Sequence, residues 1–307
     1  MVEITLFAGG VGGAKMAESL SLLDNISLNV ISNIADDDDF HGLYVSPDVD
    51  TLIYTLSKKI DRCKGWGVKS DTFKALDVLK ELGNETWMNL GDADLGLHIY
   101  RTQQLKKNIL LSQITKKISK AFNIKCNITV PTNDKVRTKI LTNDGWLSFQ
   151  EFFVRERCSV KIKKIKFEGV NKAKVTLESI SYIKNADIIV FAPSNPIVSI
   201  SPIIKIDGIN KILCKSRSLK VAVSPIIQGR AIKGPAREML IYSGYHPNVL
   251  GVAQYYKKLI DVLIIDKSDK KFTKSIESLG IKVLTEDILL KNNSIKYKLA
   301  KKISELV

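Results

Sequence analysis

Six of the chain's acidic residues crowd into fifteen positions: Asp36, Asp37, Asp38, Asp39, Asp48 and Asp50. Carboxylates this close repel one another, a cost that solvent, protonation or a bound cation relieves. A hard divalent ion such as Mg2+ takes one or two carboxylates together with diphosphate oxygens and keeps its remaining waters. Plainer uses compete with that reading. Asp36 to Asp39 suits a solvated loop, and Asp48 or Asp50 suits the cap of a helix expected to open at Thr51.

Upstream, the apolar run 2–7 passes directly into Gly9-Gly10-Val11-Gly12-Gly13-Ala14-Lys15. A buried strand that ends in glycines and then starts a helix builds an anion cradle. Glycine allows positive φ and lets N–H groups approach a phosphate without a Cβ in the way. The helix that follows turns its partially positive N-terminus toward the same spot. The spacing is neither G-x-G-x-x-G nor a P-loop, so the run alone also fits a turn that packs a helix onto a strand.

A second acidic group, Gly91-Asp92-Ala93-Asp94, precedes His98, Arg101 and Thr102. On a helix, Asp94, His98 and Arg101 share one face. Taken alone, the pattern favours helix capping by Asp92 or Asp94 with an ordinary surface ion pair. His41, His98 and His246 are too scattered for a metal triad or a Ser-His-Asp relay. Farther on, Ser194-Asn195-Pro196 and Ser224-Pro225 follow two apolar strands, as small polar residues that contact a sugar or base, or that only form turns. Lys233-Gly234-Pro235-Ala236 adds a positive charge and a helix start with proline in its first position.

These residues need a scaffold that gathers strand ends. The patterning predicts strands at 2–7, 27–32, 127–130, 138–141, 146–153, 188–191, 220–223 and 262–266. Helices are expected at 14–23, 51–60 and 71–82 (capped by Asp71 or Thr72), across 95–121, at 236–242 and near 254–258, with a further element at 248–253. Thr142-Asn143-Asp144-Gly145 reads as a hairpin turn. The repeated strand-loop-helix order predicts an α/β fold, a Rossmann-like, doubly wound, mostly parallel sheet that binds ligands outside its strands' carboxyl ends. Residues 1–66 and 167–307 are expected to form this core, and 67–166 an inserted helical and hairpin cap.

Composition narrows the partners. No apolar run approaches the ~20 residues that span a bilayer, and the N-terminus lacks the basic region and cleavage site of a signal peptide. A cytoplasmic protein without a membrane partner is expected. Cys63, Cys126, Cys158 and Cys214 form no C-x-x-C pair, which argues against zinc and against a disulfide framework. A net charge of +15 would suit nucleic acid. The lysines are scattered, however, and only eight of 47 basic residues are arginine, the residue preferred for bidentate phosphate contacts. A solvated lysine surface that draws in small anions is expected, and no nucleic-acid partner.

Nine segments in order resemble the 2-phospho-L-lactate transferases. They are Gly9 to Lys15, Asn33-Ile34-Ala35-Asp36-Asp37, Ser46-Pro47-Asp48-Val49-Asp50-Thr51, Trp66-Gly67-Val68-Lys69, Leu90-Gly91-Asp92-Ala93-Asp94-Leu95, 149–155, 192–200, 224–229 and Gly234-Pro235-Ala236. The resemblance implies a step in coenzyme F-420 biosynthesis. A phospholactyl or phosphoenolpyruvyl group passes from a guanosine-diphosphate-linked donor to the ribityl hydroxyl of the deazaflavin Fo, GMP leaves, and Mg2+ is the cofactor. It further implies a Rossmann-like core with an inserted cap, often in a homodimer. Carried onto this chain, the acceptor Fo is held by Asp50, Asn89, Asp92 and His98. Gly9, Gly10, Gly12, Gly13, Lys15, Lys69, Ser194, Asn195 and Ser224 are expected to hold the donor, and as a hypothesis built on the resemblance Asp37 and Asp50 hold Mg2+. Asp48, Asp50 or Asp36 orients or deprotonates the hydroxyl. Ala93 departs from the family, since many members carry arginine there. A second resemblance, to nucleotide-sugar-binding regulators of the gluconeogenesis-factor type, covers the glycine-rich start and acidic loop but fits Trp66 to Lys69 and 149–155 less well. An NAD(P)-dependent oxidoreductase would use Asp36 or Asp37 for ribose, but the glycine spacing is wrong and no catalytic base stands out.

Overall fold

Seven short apolar segments pair into one sheet in the computed structural model, which describes residues 1–307. They are β1 (Val2–Ala8), β2 (Ile26–Ser32), β3 (Asn127–Thr129), β4 (Ile188–Phe191), β5 (Leu219–Val223), β6 (Val262–Asp266) and β7 (Lys282–Glu286). The order is β7-β6-β5-β4-β1-β2-β3, and every pairing is parallel. From β1 the chain builds outward through β2 and β3, then returns to β4 on the other side. Between β1 and β4 the connections part in opposite directions and leave a crevice at the carboxyl ends.

The two-residue period of a strand divides the core. Ile4, Leu6, Ala8, Ile188 and Val190 pack on one face, while Phe7, Ile189 and Phe191 pack on the other. Helices α1 (Gly10–Leu20), α2 (Pro47–Leu56) and α5 (Leu111–Ala121), with the C-terminal helix Asn293–Ser304, cover the first face. Helices Leu177–Asn185, Ile209–Lys215 and Val249–Tyr256 cover the second. No helix is long and apolar enough to cross a membrane.

Several boundaries shift from expectation, each for a local reason. α1 begins at Gly10 rather than residue 14, because Gly9 is extended and Gly10 turns at φ +60, which puts the glycines inside the first turn. α2 begins at Pro47 rather than Thr51, since proline suits the first helical position. Asp48 and Asp50 therefore lie in its first turn. α3 (Lys74–Glu81) and α4 (Asp92–Lys106) cap one another. Asp92 accepts from the amides of Lys74 (3.1 Å) and Ala75 (3.0 Å), and Asp71 accepts from those of Ala93 (2.8 Å) and Asp94 (3.2 Å). Asp71 thus serves the later helix and not its own. The expected helical stretch 95–121 is two helices, α4 and α5, broken where Asn108 takes φ +58. The expected strand 146–153 stops at Ser148, whose amide and hydroxyl bond Glu151 reciprocally and start a wide helical turn, Glu151–Arg155. The elements expected at 248–253 and 254–258 are one helix, capped by Asn248.

The residues expected to form a cap divide between two structures. β3 is the edge strand of the main sheet, and α5 packs its Ile114 and Ile118 into the core. Separate from that sheet stands a three-stranded antiparallel one, Gly145–Ser148, Arg137–Thr142 and Lys164–Glu168. It is pinned to the acidic loop by the Thr138 amide on the Ala35 carbonyl (2.6 Å) and by Gln150 on the Asp36 carbonyl (2.9 Å).

Two neighbouring glycines separate conformation from space. A Cβ on Gly12 would lie 2.1 Å from the Pro193 carbonyl oxygen, whereas one on Gly10 would meet only an Asp48 oxygen at 4.0 Å. Gly10→Ala should cost about 1–2 kcal/mol of left-handed strain. Gly12→Ala should cost about 3 kcal/mol, because two backbone segments must move apart. Denaturant unfolding of both variants checks this, and equal losses would contradict the close approach.

Candidate active site

The crevice opens into a cavity of about 460 Å3. Its floor is the β1–α1 turn. Ser194, just past β4, donates to the Gly9 carbonyl (2.6 Å) and accepts from its amide (3.4 Å), which locks the two central strand ends together. Gly9, Gly10, Gly12 and Lys15 line the cavity, as do Ser194 and Asn195. Asn195 Oδ1 caps the turn that follows, while its Nδ2 is buried without a partner.

Beside this cradle stand two carboxylates on one amide. The Asn33 Nδ2 group donates to Asp36 Oδ2 and to Asp48 Oδ2, each at 3.0 Å. Burial pushes the Asp48 carboxyl up to about 6. The Gly10 backbone lies near Asp48 and helps hold its carboxyl down. Burial, and then the neighbouring charge of Asp48, raises Asp36 well above the usual carboxylate range. Asp36 Oδ1 is buried without a well-formed hydrogen bond, with the Thr138 side chain nearby holding the carboxyl down. The pair lacks a positive charge.

The next carboxylate is fully matched. Arg101, wholly buried on α4, reaches Asp50 with both terminal nitrogens, Nη1 at 3.2 Å and Nη2 in a close contact. His98 lies between two aspartates, with Nδ1 3.6 Å from Asp50 and Nε2 3.3 Å from Asp94. Tyr54 donates to Asp94 at 2.6 Å. Burial raises Asp50 despite the arginine, whereas for Asp94 the contacts with His98 and Tyr54 overcome burial and hold it low. The face Asp94, His98, Arg101 therefore exists as read, but as a buried network rather than a surface ion pair. Asp50, Asp94 and His98 are close enough to share a metal ion. The guanidinium on Asp50 already supplies the cation there.

Other expected site residues lie elsewhere. Asp37 is behind the cavity wall, accepting from Tyr44 at 2.8 Å near the buried Arg137, and burial lifts it to about 7. Asp92 is consumed by the α3 cap and by Thr72 (2.5 Å). Ser224 closes its own turn with Ile226, and Gly13 packs against Ala8. Lys69 is exposed, and like these four it does not line the cavity. Asn89 and His98 do line it. Missing from the expected set are Asn33, Arg101 and Lys233. Asn33 stood inside a resembling segment and Arg101 on the face noted above, but nothing in the spacing joins either to its aspartate. Trp66, Met88, Phe149 and Phe153 form an apolar wall, the two phenylalanine rings stacked at 5.6 Å.

Known proteins share this architecture and sequence. Residues 4–301 match the family model described as 2-phospho-L-lactate transferase CofD. The chain is 37% identical over 307 residues to the 2-phospho-L-lactate transferase of Methanocaldococcus jannaschii, covering 98% of this chain and 97% of that one. It is 34% identical over 299 residues to the enzyme of the same name from Methanococcoides burtonii, with 97% of each covered. A solved structure of a UPF0052 family member from Bacillus halodurans has a TM-score of 0.65 at 17% identity over 99% of both chains, which shows the fold alone. The full-length match above 30% identity decides between the two resemblances: this chain belongs to the CofD family of 2-phospho-L-lactate transferases.

Proposed function

We propose that the cavity moves a phospholactyl or phosphoenolpyruvyl group from a guanosine-diphosphate-linked donor to the ribityl hydroxyl of Fo. The observation that carries this reading is the Asp36–Asp48 pair on Asn33, short of positive charge and set beside the Gly10 amide. An anion cradle next to a cation site is what a diphosphate ester requires. The apolar wall of Trp66, Phe149 and Phe153 suits the flat ring system of a deazaflavin.

Mg2+ fits Asp36 and Asp48, because both line the cavity, are raised by burial and have no cation of their own. Asp37 also has an unpartnered Oδ1 but does not line the cavity, and Asp50 is held by Arg101. Bound at Asp36 and Asp48, the ion would neutralise diphosphate charge and ease departure of the leaving phosphate. Asp50, fixed by the arginine fork, accepts the hydrogen bond of the Fo hydroxyl and takes its proton as the new oxygen–phosphorus bond forms. The bond from that phosphorus to GMP breaks, and GMP leaves with the electron pair. The amides of Gly10 and Gly12 hold non-bridging oxygens. Incubating the protein with Fo, Mg2+ and each candidate donor, then separating products, tests the reading. GMP formed in step with a phosphodiester of Fo supports it, and no product from any donor refutes it.

Two further outcomes follow from the charges. Arg101→Met strands Asp50 without its counter-charge and should cost about 3–5 kcal/mol of stability. Adding Asp50→Asn should recover most of that loss while turnover stays at least about 100-fold down. Unfolding and kinetics on the single and double variants check this, and a double variant as active as the wild type would overturn Asp50 as the proton acceptor.

The second concerns pH. Asp48 is raised in the fold, so its contribution to stability is present below about pH 4 and lost as pH rises through about 6. In metal-free protein, Asp48→Asn should gain on the order of 2 kcal/mol relative to wild type at pH 8 and nothing at pH 4. Thermal melts at both values test it, with Mg2+ raising the wild-type midpoint at pH 8 more than the variant's. A pH-independent difference would contradict the assignment.

A further inference from the structure

Besides the aspartates, the cavity carries two lysines that form no salt bridge. Lys15 lies one helical turn beyond Val11 on α1, on the same face. Lys233 comes from the segment before helix Ala236–Tyr242, and its Nζ donates to the Lys64 carbonyl at 3.0 Å. Both line the cavity. A Cβ built on Gly65 would lie 2.9 Å from Lys233 Nζ and 3.6 Å from the Val11 side chain, so Lys233 runs along the α1 face that carries Lys15. The acid nearest Lys15 in the helix is already taken twice: Glu18 binds Arg62 at 2.5 Å and the buried Lys296 at 2.6 Å. Burial lowers both lysines, and the charge of Lys15 lowers Lys233 further. The cavity is therefore lined by charges of both signs: Asp36, Asp48, Asp50 and Asp94, and the pair Lys15 and Lys233, near enough that the charge of one lowers the other.

We propose that Lys15 and Lys233 form a carboxylate subsite that reads the acid part of the donor. The inference rests on the donor reading above. An in-line displacement puts the acceptor oxygen and GMP on opposite sides of the phosphorus, so the ester oxygen that carries the acid projects sideways. A few bonds farther lies a carboxylate, which the aspartates repel and which is costly to bury unpaired. The lysine pair supplies its counter-charge. Lactate, enolpyruvate and glycerate share this carboxylate, so the pair selects for a free acid as a class and not among those acids.

Calorimetric titration of metal-loaded protein with GDP, with the guanosine-diphosphate-linked lactate, and with its carboxamide tests the proposal without requiring turnover. Wild type should bind the carboxylate ligand on the order of 100-fold more tightly than the carboxamide. Lys15→Met and Lys233→Met should each reduce that preference roughly tenfold, a larger effect than either has on GDP affinity. Lys233→Arg should keep it. Equal wild-type affinity for the two ligands overturns the proposal, whatever the variants do. So does a loss of GDP binding in both Met variants, which would assign the lysines to the diphosphate. Discrimination in binding without transfer to Fo would sink the transferase reading and leave the subsite standing. Transfer without discrimination would do the reverse.

Discussion

Asp36, Asp37, Asp48, Asp50 and Asp94 are each less than one-tenth exposed, and two buried guanidinium groups, Arg101 and Arg137, lie among them. Two like charges about 4 Å apart cost about 4 kcal/mol at the effective dielectric of a protein site. The fold distributes its few compensating groups unevenly. Asp50 receives Arg101, Asp37 receives Tyr44 and the field of Arg137, and Asp94 receives Tyr54 and His98. Asp36 and Asp48 share a neutral amide from Asn33, and only neutral groups, Thr138 by Asp36 and the Gly10 backbone by Asp48, help them further. Burial raises Asp37 and Asp50 as well, but of these carboxylates only Asp36 and Asp48 line the cavity with no cation of their own. Neutral residues would make this region more stable; a charge deficit kept beside an anion site is the mark of a place where ligand supplies the balance.

Holding that deficit in place requires rigid backbone on both sides. The crevice between β1 and β4 is closed at its floor by the Ser194–Gly9 hydrogen bonds and by the approach of Gly12 to Pro193. The reciprocal caps of α3 and α4 orient α4 so that His98 and Arg101 reach Asp50 across fifty residues of sequence. The small antiparallel sheet fixes the acidic loop from above through Thr138 and Gln150. Sequence-distant segments meet at one point because strand ends do, and the chemistry sits where their backbones are tied.

Much of this was legible in the residues. Apolar segments separated by helices gave the parallel sheet, the glycine run gave the cradle, and the position of the acidic loop after β2 followed from the strand-end rule. What escaped were choices made by tertiary partners. Asp71 and Asp92 exchange helices, which no local capping signal encodes. Asp37 and Asp36 are adjacent and chemically identical, yet one turns inward to Tyr44 and the other faces the cavity. Arg101 binds Asp50 across 51 residues of sequence, a pairing that leaves no spacing to read. The edge strand β3 has three residues after two helices, and its pairing with β2 is set by the sheet rather than by any local pattern.

The most direct test of the account is a crystal structure with GDP and Mn2+ in place of Mg2+, with the metal located by its anomalous signal. The account predicts one peak bound by Asp36 and Asp48, with the diphosphate over Gly10 and Gly12 and Arg101 still on Asp50. A peak among Asp50, Asp94 and His98, with the arginine displaced, would contradict it.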